Sequence, residues 1–509
     1  MKKPNIIWIT IDGVRPHSRC KDEFDYPHAF TVMAKECMEF KKVVTSAPST
    51  IMSVSSMMAS YPAFYLSRTF YSFNFDKNKF DSLPQILKKQ GYNVYGIIAY
   101  HEIRKFLSGF FGDFCKKYWP KKINPFVYAW TGEEVNQIVF NLLKKRIKKP
   151  FFLYVHYRKL PFTSKNVLKL ISKLKKLNLY KDSIFILSSD HGYSDTGPDS
   201  KLKGIVTSHD MNMDEDSLYV PLLIKYPGSP IGKVHKHIST LDTTPTIVDL
   251  LGMDSSKFKF KGVNYLDLIK NETKVKRKNK PFERYFRTDN RYIFQPSRVT
   301  SIKKYPYKYI FSYESKKEDF YDIKNDPLEK NNLIRSGNIF LINEINQFRK
   351  EFESQEKEAL KFHEVYLSSK LNRMAKKMRD LRIRNIYLPP IGSDLFKDIL
   401  ERAIRKEFIG ATINNKKEKI DLAIIHLINK SGIGYKKTFK KLRTIRPRKT
   451  IYIDYNLDIC LKPNILRYSF EHLKDNFNFY FYNPRSFITW FVRLMNKKIR
   501  GEDIHRSQK

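Results

Sequence analysis

Over its first 270 residues the chain alternates short apolar runs with longer stretches of helical apolar spacing, and this alternation constrains the fold more than any other feature. Asn5–Ile11 reads as a buried strand, Leu83–Gly91 as a helix closed by its terminal glycine, and Asn93–Ile98 as the next strand. Trp130–Lys148 has helical spacing ahead of the strand Phe151–Val155. The amphipathic helix Lys165–Leu177 precedes the strand Ser183–Ser188, and Val220–Lys225 and the helix Thr244–Leu251 follow. Strands that alternate with helices imply a mostly parallel sheet covered on both faces. Sites in such sheets form beyond the carboxyl ends of the strands. Asp12 directly follows one strand and Asp190-His191-Gly192 another, so both fall where a site would be built.

Residues 281–333 change character: Tyr292–Phe294, Val299–Ile302 and Tyr307–Ser312 are short aromatic strands of an appended antiparallel sheet. Leu341–Met378 is a charged, helix-forming stretch without Gly or Pro and reads as a connector. From Arg382 a second α/β pattern begins, with strands at Asn385–Leu388, Ile420–Leu427, Thr450–Asp454 and Phe477–Tyr482. The expected division is therefore 1–340, a helical connector at 341–381, and a basic α/β domain at 382–509. With 41% hydrophobic residues the chain can bury a core, which excludes wholesale disorder.

The formal net charge of +43 is densest at the C-terminus, where residues 371–509 hold 32 basic and 13 acidic side chains. Such charge admits a polyanionic substrate or peripheral contact with an anionic membrane through the basic helices Lys436–Lys449 and Arg493–Arg500. No nucleic-acid-binding motif accompanies it, so a nucleic-acid partner is not expected. Cys20, Cys37, Cys115 and Cys460 are too dispersed for a disulfide scaffold or a cysteine-based zinc module. No apolar run reaches the roughly 18 residues of a membrane-spanning helix, and the start of the chain lacks the pattern of a secretory leader. A cytoplasmic location is the expectation.

A metal-assisted ester hydrolase needs carboxylates and imidazoles gathered at strand ends beside a nucleophile. The metal lowers the nucleophile's pKa and neutralises charge on the transferring group. Asp12, Thr50, Asp190, His191 and His209 are the candidates. Alone, a strand-terminal Asp is often only a helix cap or a turn residue, so the combination carries the argument.

In register from Pro4 to about Leu333, the chain resembles the sulfatase family of the alkaline phosphatase superfamily. Pro4–Asp12 looks like the family's opening strand with its first metal-binding aspartate, and Leu83–Tyr92 like its first long helix and glycine turn. Ser108–Phe114 is similar to the glycine-phenylalanine-aspartate segment, Lys149–His156 to the central strand, and Ser188–Gly192 to the metal-binding Asp-His loop. Val220–Gly228 and Leu241–Gly252 resemble two further hallmark segments, and Phe320–Leu333 the closing signature. The resemblance implies an alkaline-phosphatase-like α/β sandwich with a mostly parallel central sheet covered by helices. A small antiparallel C-terminal subdomain and then a second small α/β domain complete it.

The nucleophile segment departs from the family pattern of Cys or Ser, any residue, Pro, Ser, Arg. Ser46–Thr50 matches the Ser-x-Pro-Ser part but lacks the arginine. Aligning from Thr50 instead preserves the downstream spacing through Ser53, Met57 and Ala59-Ser60, and is preferred. A threonine here is what the phosphate-transferring relatives use. Cysteine is absent from the segment, so a metal-activated hydroxyl replaces a hydrated aldehyde as the attacker, with Ser46 as the alternative. The family's Lys-x-His falls near Ala99-Tyr100-His101, so its lysine is missing, and its later histidine falls near Lys159. His101 and His156 read more readily as structural histidines; His101 is kept, with Ser46 and Lys203, as a substrate-binding candidate. His209 is kept as the residue that protonates or orients the leaving oxygen, with Lys203 as the weaker choice.

The expected metal set is Asp12, Thr50, Asp190 and His191, holding calcium, magnesium, manganese or zinc. The expected activity is hydrolysis of a sulfate or phosphate ester, phosphate or phosphodiester favoured. The alternatives are transfer of a phospho-group in surface polysaccharide or lipid modification, or a decayed, non-catalytic binding protein. The expected partner is an anionic ester, carried by a glycan or a lipid intermediate.

Overall fold

The computed structural model describes residues 3–16, 26–66, 80–100, 116–118, 130–145, 147–160, 162–193, 213–271, 284–290, 298–378, 382–389, 394–414, 419–427, 436–454 and 459–460. The apolar run after Asn5 forms β1 (Ile6–Ile11), with all six residues buried. Around it an eight-stranded sheet assembles from β2 (Met38–Val44), β3 (Asn93–Ile98), β4 (Lys116–Tyr118), β5 (Phe151–Tyr157), β6 (Ile184–Ser188), β7 (Tyr219–Lys225) and β8 (Gly232–Ser239). The order is β4-β3-β5-β1-β6-β7-β2-β8. β1 runs parallel to β5, with Ile6 opposite Phe152 and Ile11 opposite Tyr157, and parallel to β6 on its other side. β3 continues the parallel set beside β5. β7 is antiparallel to both β6 and β2, and β2 is parallel to β8. β2 therefore points the same way as β1, and its carboxyl end reaches the same sheet edge as those of β1, β3, β5 and β6.

Alternate side chains of β1 feed two cores, as the two-residue period of a strand requires. Ile6 and Trp8 join the layer built on α2 (Thr50–Ala59), α3 (Leu83–Lys89) and α6 (Thr243–Leu250). Ile7, Ile9 and Ile11 join the layer built on α1 (His28–Met33), α4 (Gly132–Lys144) and α5 (Thr163–Lys176). α4 opens on a capping box in which Thr131 accepts from the Glu134 amide and Glu134 accepts from the Thr131 amide.

The antiparallel subdomain has four strands, β9 (Phe286–Asp289), β10 (Val299–Lys304), β11 (Tyr307–Ser312) and β12 (Lys317–Asp322), in the order β12-β11-β10-β9. The strands expected at Tyr292–Phe294 and Phe477–Tyr482 lie outside the described residues. A third sheet, ordered β14-β13-β15-β16-β17, comprises β13 (Asn385–Tyr387), β14 (Thr412–Ile413), β15 (Leu422–Leu427), β16 (Lys449–Asp454) and β17 (Ile459–Cys460).

The helix α7 (Ile339–Lys377) covers most of the stretch read as a helical connector. Its residues Ile345 and Phe348 pack with Ile302, Tyr309 and Phe320 of the antiparallel sheet. Further along, Ala359, Leu367 and Leu371 enter the main core, and His363 Nε2 lies 3.0 Å from the Phe64 carbonyl oxygen. α8 (Asp394–Glu407) packs on its last turns, where Asn372 donates to Glu407 at 2.6 Å and Arg402 to Glu364 at 2.8 Å. The buried face carries Glu356, His363 and Ser368 among its apolar residues, which blurs the apolar stripe that marks a packed helix. Among the described residues no helix is long and apolar enough to cross a membrane.

Candidate metal and nucleophile site

At the end of β1 the Asp12 amide still donates to the Tyr157 carbonyl of β5, at 2.9 Å. Gly13 then turns the chain at φ +63°, a left-handed conformation that glycine adopts without strain. The Gly13 amide donates to Asp190 Oδ1 at 3.3 Å and the Val14 amide to Ser189 Oγ at 2.9 Å, tying the β1 turn to the loop after β6. Asp190 Oδ1 also accepts from the His191 amide at 3.0 Å. The Asp190 carbonyl accepts from Thr45 Oγ1 at 2.7 Å and Ser53 Oγ at 2.5 Å, which fastens it to the end of β2 and to α2. The same loop passes so close to the 216 backbone that a Cβ on Gly192 would lie 1.9 Å from the Asp216 carbonyl oxygen.

α2 starts after Ser49, whose side chain makes no cap, and Thr50 is its first residue. Thr50 Oγ1 lies 3.1 Å from His191 Nε2 and 3.3 Å from Asp12 Oδ1. His191 Nε2 lies 3.1 Å from Asp12 Oδ1 and 3.7 Å from Asp190 Oδ2. Its Nδ1 lies 2.7 Å from the Gly192 carbonyl, which accepts only from a protonated nitrogen, so Nε2 is the nitrogen that faces the carboxylates and would turn its lone pair to a metal that displaces its proton. One donor atom each from Asp12, Asp190 and His191 falls within 4.8 Å of the others. Asp190 and His191 are buried, whereas Asp12 and Thr50 are half-buried, so these two form the accessible side of the set.

The electrostatics match that geometry. Burial opposes charge on His191, yet Asp190 and Asp12 overcome it and push the imidazole up to about 10. Burial likewise opposes charge on Asp12, but the hydrogen bond and charge of His191 hold its carboxyl well below the usual range. Two carboxylates at this spot demand a cation. Two hard oxygen donors and an oriented imidazole nitrogen suit a divalent metal, and the donor set fits one.

Two further side chains complete the surroundings. The Tyr100 hydroxyl donates to Asp12 Oδ2, and burial and the Asp12 charge keep this phenol protonated far above its ordinary range. His156 at the end of β5 is fully buried, with Nε2 3.4 Å from Asp190 Oδ2. Its Nδ1 has no hydrogen-bond partner among the described residues.

Of the residues singled out from sequence, Asp12, Thr50, Asp190 and His191 are brought together. Ser46 is buried, and its Oγ has no hydrogen-bond partner among the described residues. His101, Lys203 and His209 lie outside the described residues. Sequence reading passed over Tyr100 and took His156 as structural. The signal for both was positional, since each stands at the carboxyl end of a parallel strand next to β1 or β5.

The sulfatase family model matches residues 4–160 and 157–253, and the model for the C-terminal part of N-sulphoglucosamine sulphohydrolase matches residues 209–358. The chain belongs to the sulfatase family. It is 31% identical to lipoteichoic acid synthase 2 of Bacillus subtilis (strain 168) over 119 residues, 23% of this chain and 17% of that protein. It is 25% identical to choline-sulfatase of Rhizobium meliloti (strain 1021) over 194 residues, 38% of this chain and 34% of that protein. The matches thus span about a sixth and about a third of the length of these curated relatives. In fold, the chain resembles a solved 2-O GAG sulfatase at TM-score 0.55 and 15% identity, covering 70% of this chain and 93% of that one. The alkaline-phosphatase-like sandwich expected from sequence is the fold observed, with β7 running antiparallel within the otherwise mostly parallel sheet.

Proposed function

We propose that this sulfatase-family protein cleaves an anionic ester by attack of the Thr50 hydroxyl, with a phosphate ester or phosphodiester favoured over a sulfate ester. The observation that carries the reading is the placement of Thr50 Oγ1 at 3.1 Å from His191 Nε2 and 3.3 Å from Asp12 Oδ1. A divalent cation held by Asp12, Asp190 and His191 would lower the pKa of the hydroxyl and neutralise charge on the transferring group.

The residues of the chain do the rest. Thr50 Oγ1 forms a bond to phosphorus (or sulfur) as the ester bond on the opposite side breaks, and the leaving oxygen departs with its electron pair. The Thr50 proton leaves along its hydrogen bond to Asp12 Oδ1 and passes on to solvent, because the Asp12 carboxylate stays ionised. The N-terminus of α2, which begins at Thr50, would favour the negative charge that develops on the equatorial oxygens. Tyr100 holds Asp12 Oδ2, so that Oδ1 stays directed at Thr50 and His191. His209 is assigned from sequence alone as the donor to the leaving oxygen, and water then releases the covalent intermediate. Phosphorus is favoured because a bare hydroxyl serves phosphoryl transfer directly, and because the 31% identical relative is named as a synthase of lipoteichoic acid. That name also supports a second reading, in which an acceptor hydroxyl replaces water and the carrier is a glycan or lipid intermediate. The basic region 382–509 would then meet the anionic surface presenting it.

Asp190→Asn should lower divalent-metal affinity by more than the roughly 10–100-fold typical of losing a residue that only supports a ligand, since it removes the charge of a ligand itself. Metal content after dialysis, measured by plasma mass spectrometry, checks this. Retention of the wild-type metal content would remove Asp190 from the metal set. Chelation should abolish turnover of aryl phosphate and sulfate esters, and manganese, calcium, magnesium or zinc should restore it.

A further inference from the structure

We propose that Arg158 is the residue that grips the oxyanion of the substrate, an assignment that rests on the ester-cleaving reading above. Arg158 is the first residue beyond β5, directly after Tyr157, whose carbonyl accepts the Asp12 amide at 2.9 Å. Its guanidinium carbon lies 5.6 Å from the centroid of the Tyr100 ring, and the hydroxyl of that ring binds Asp12. The cation is therefore held one aromatic ring away from the candidate metal cluster, and Arg158 is half-buried there.

What marks Arg158 is its lack of a counter-charge. Arg15 reaches Asp216, Arg284 reaches Asp242, Arg287 and Arg298 reach Glu356, and Arg349 reaches Glu318. Among the described residues no carboxylate pairs with Arg158. A half-buried guanidinium fixed over an aromatic face and left without an anion is arranged to receive one. Its planar fork of donors matches two oxygens of a tetrahedral phosphate or sulfate group. The neighbouring strand end supports the assignment. The Ala99 amide donates to the His156 carbonyl at 3.2 Å. The ends of β3 and β5 thus lie side by side, which sets Arg158 beside Tyr100. The ligand class is an organic phosphate or sulfate monoester or diester, whether its carrier is a glycan or a lipid.

Calorimetric titration of inorganic phosphate and of sulfate into the full, manganese-supplemented chain tests this without requiring turnover. Wild type and Thr50→Ala are expected to bind the anion, and Arg158→Ala to weaken binding at least tenfold. Arg158→Lys should recover part of the loss, because charge returns without the fork. An unchanged affinity in Arg158→Ala with a wild-type melting curve would overturn the assignment, as would absence of anion binding by the wild type. The two readings separate cleanly. Anion binding lost in Arg158→Ala, with no ester turned over by the wild type, would sustain the subsite and overturn the ester-cleaving function. Wild-type turnover with KM and kcat unchanged in Arg158→Ala would sustain the function and overturn the subsite.

Discussion

Thr50→Ala is expected to lower ester turnover by roughly a thousandfold or more while shifting stability by no more than about 1 kcal/mol. The kinetic effect is large because the substitution removes the atom that forms the new bond. The structural effect is small because Thr50 is half-buried and its hydroxyl bonds only into the site, to Asp12 and His191. It does not cap α2, since the residue ahead of the helix is Ser49. Thr50→Ser keeps the oxygen and should retain a measurable fraction of the activity. Ser46→Ala separates the two sequence alignments, because it should leave kcat within a fewfold of wild type if Thr50 is the nucleophile. Full activity in Thr50→Ala, with a collapse in Ser46→Ala, would exchange the two roles.

The second large effect concerns stability. Glu356→Ala is expected to destabilise the protein by about 3–5 kcal/mol, the cost of leaving buried cations without their anion. Glu356 on α7 accepts from Arg287 Nη2 at 2.5 Å and from Arg298 Nη2 at 2.7 Å, both guanidinium groups being buried. Arg287 also holds Asp289 through two bonds of 2.8 and 3.0 Å. The network reaches the site through β9. The Asp289 amide donates to the Ser46 carbonyl at 3.2 Å, and Thr288 Oγ1 donates to the Thr45 carbonyl at 2.6 Å. Thr45 in turn holds the Asp190 carbonyl. Loosening Glu356 should therefore slacken the segment that leads into Thr50 as well as lower the melting temperature.

The same carboxylate gives a pH signature. Burial works against its charge, but Arg298 and Arg287 lower its pKa from 4.5 to about 2. A depressed carboxylate stabilises the fold above its unfolded pKa. The contribution, about 3 kcal/mol by linkage, should be fully present above pH ~4.5 and lost as pH falls through ~2. Chemical denaturation across that window, compared with Glu356→Gln, reads it directly. An acid limb identical in both proteins would show that the network contributes nothing there.

Much of the fold was legible because the parallel strands are continuous apolar runs with helices between them. Ile6–Ile11, Phe151–Tyr157 and Ile184–Ser188 bury every residue, so their sequences carry no competing pattern. β2 and β8 escaped notice for the opposite reason. Met38–Val44 places Glu39, Lys41 and Lys42 among its apolar residues, and its pairing with both neighbours shifts register near Phe40. β8, at the edge of the sheet, exposes Lys233, His235 and Lys236 around the buried Val234, which breaks both an apolar run and a two-residue alternation. In the site, Asp12, Asp190 and His191 were readable because each follows a recognisable strand, and Thr50 because the resemblance keeps its downstream spacing through Ser53, Met57 and Ala59-Ser60 when aligned from it. Tyr100 and His156 carry no motif. They are found only once the strand order sets β3, β5, β1 and β6 side by side.

Nucleophilic attack by Thr50 requires a covalent bond between its oxygen and the transferred group. Rapid acid quench during turnover of a slow aryl phosphodiester, followed by peptide mapping with mass spectrometry, reads that bond. A phosphoryl adduct is expected on the peptide bearing Thr50, lost on chelation of the metal and absent in Thr50→Ala. An adduct mapped to Ser46, or steady turnover with no adduct on Thr50, would overturn Thr50 as the nucleophile.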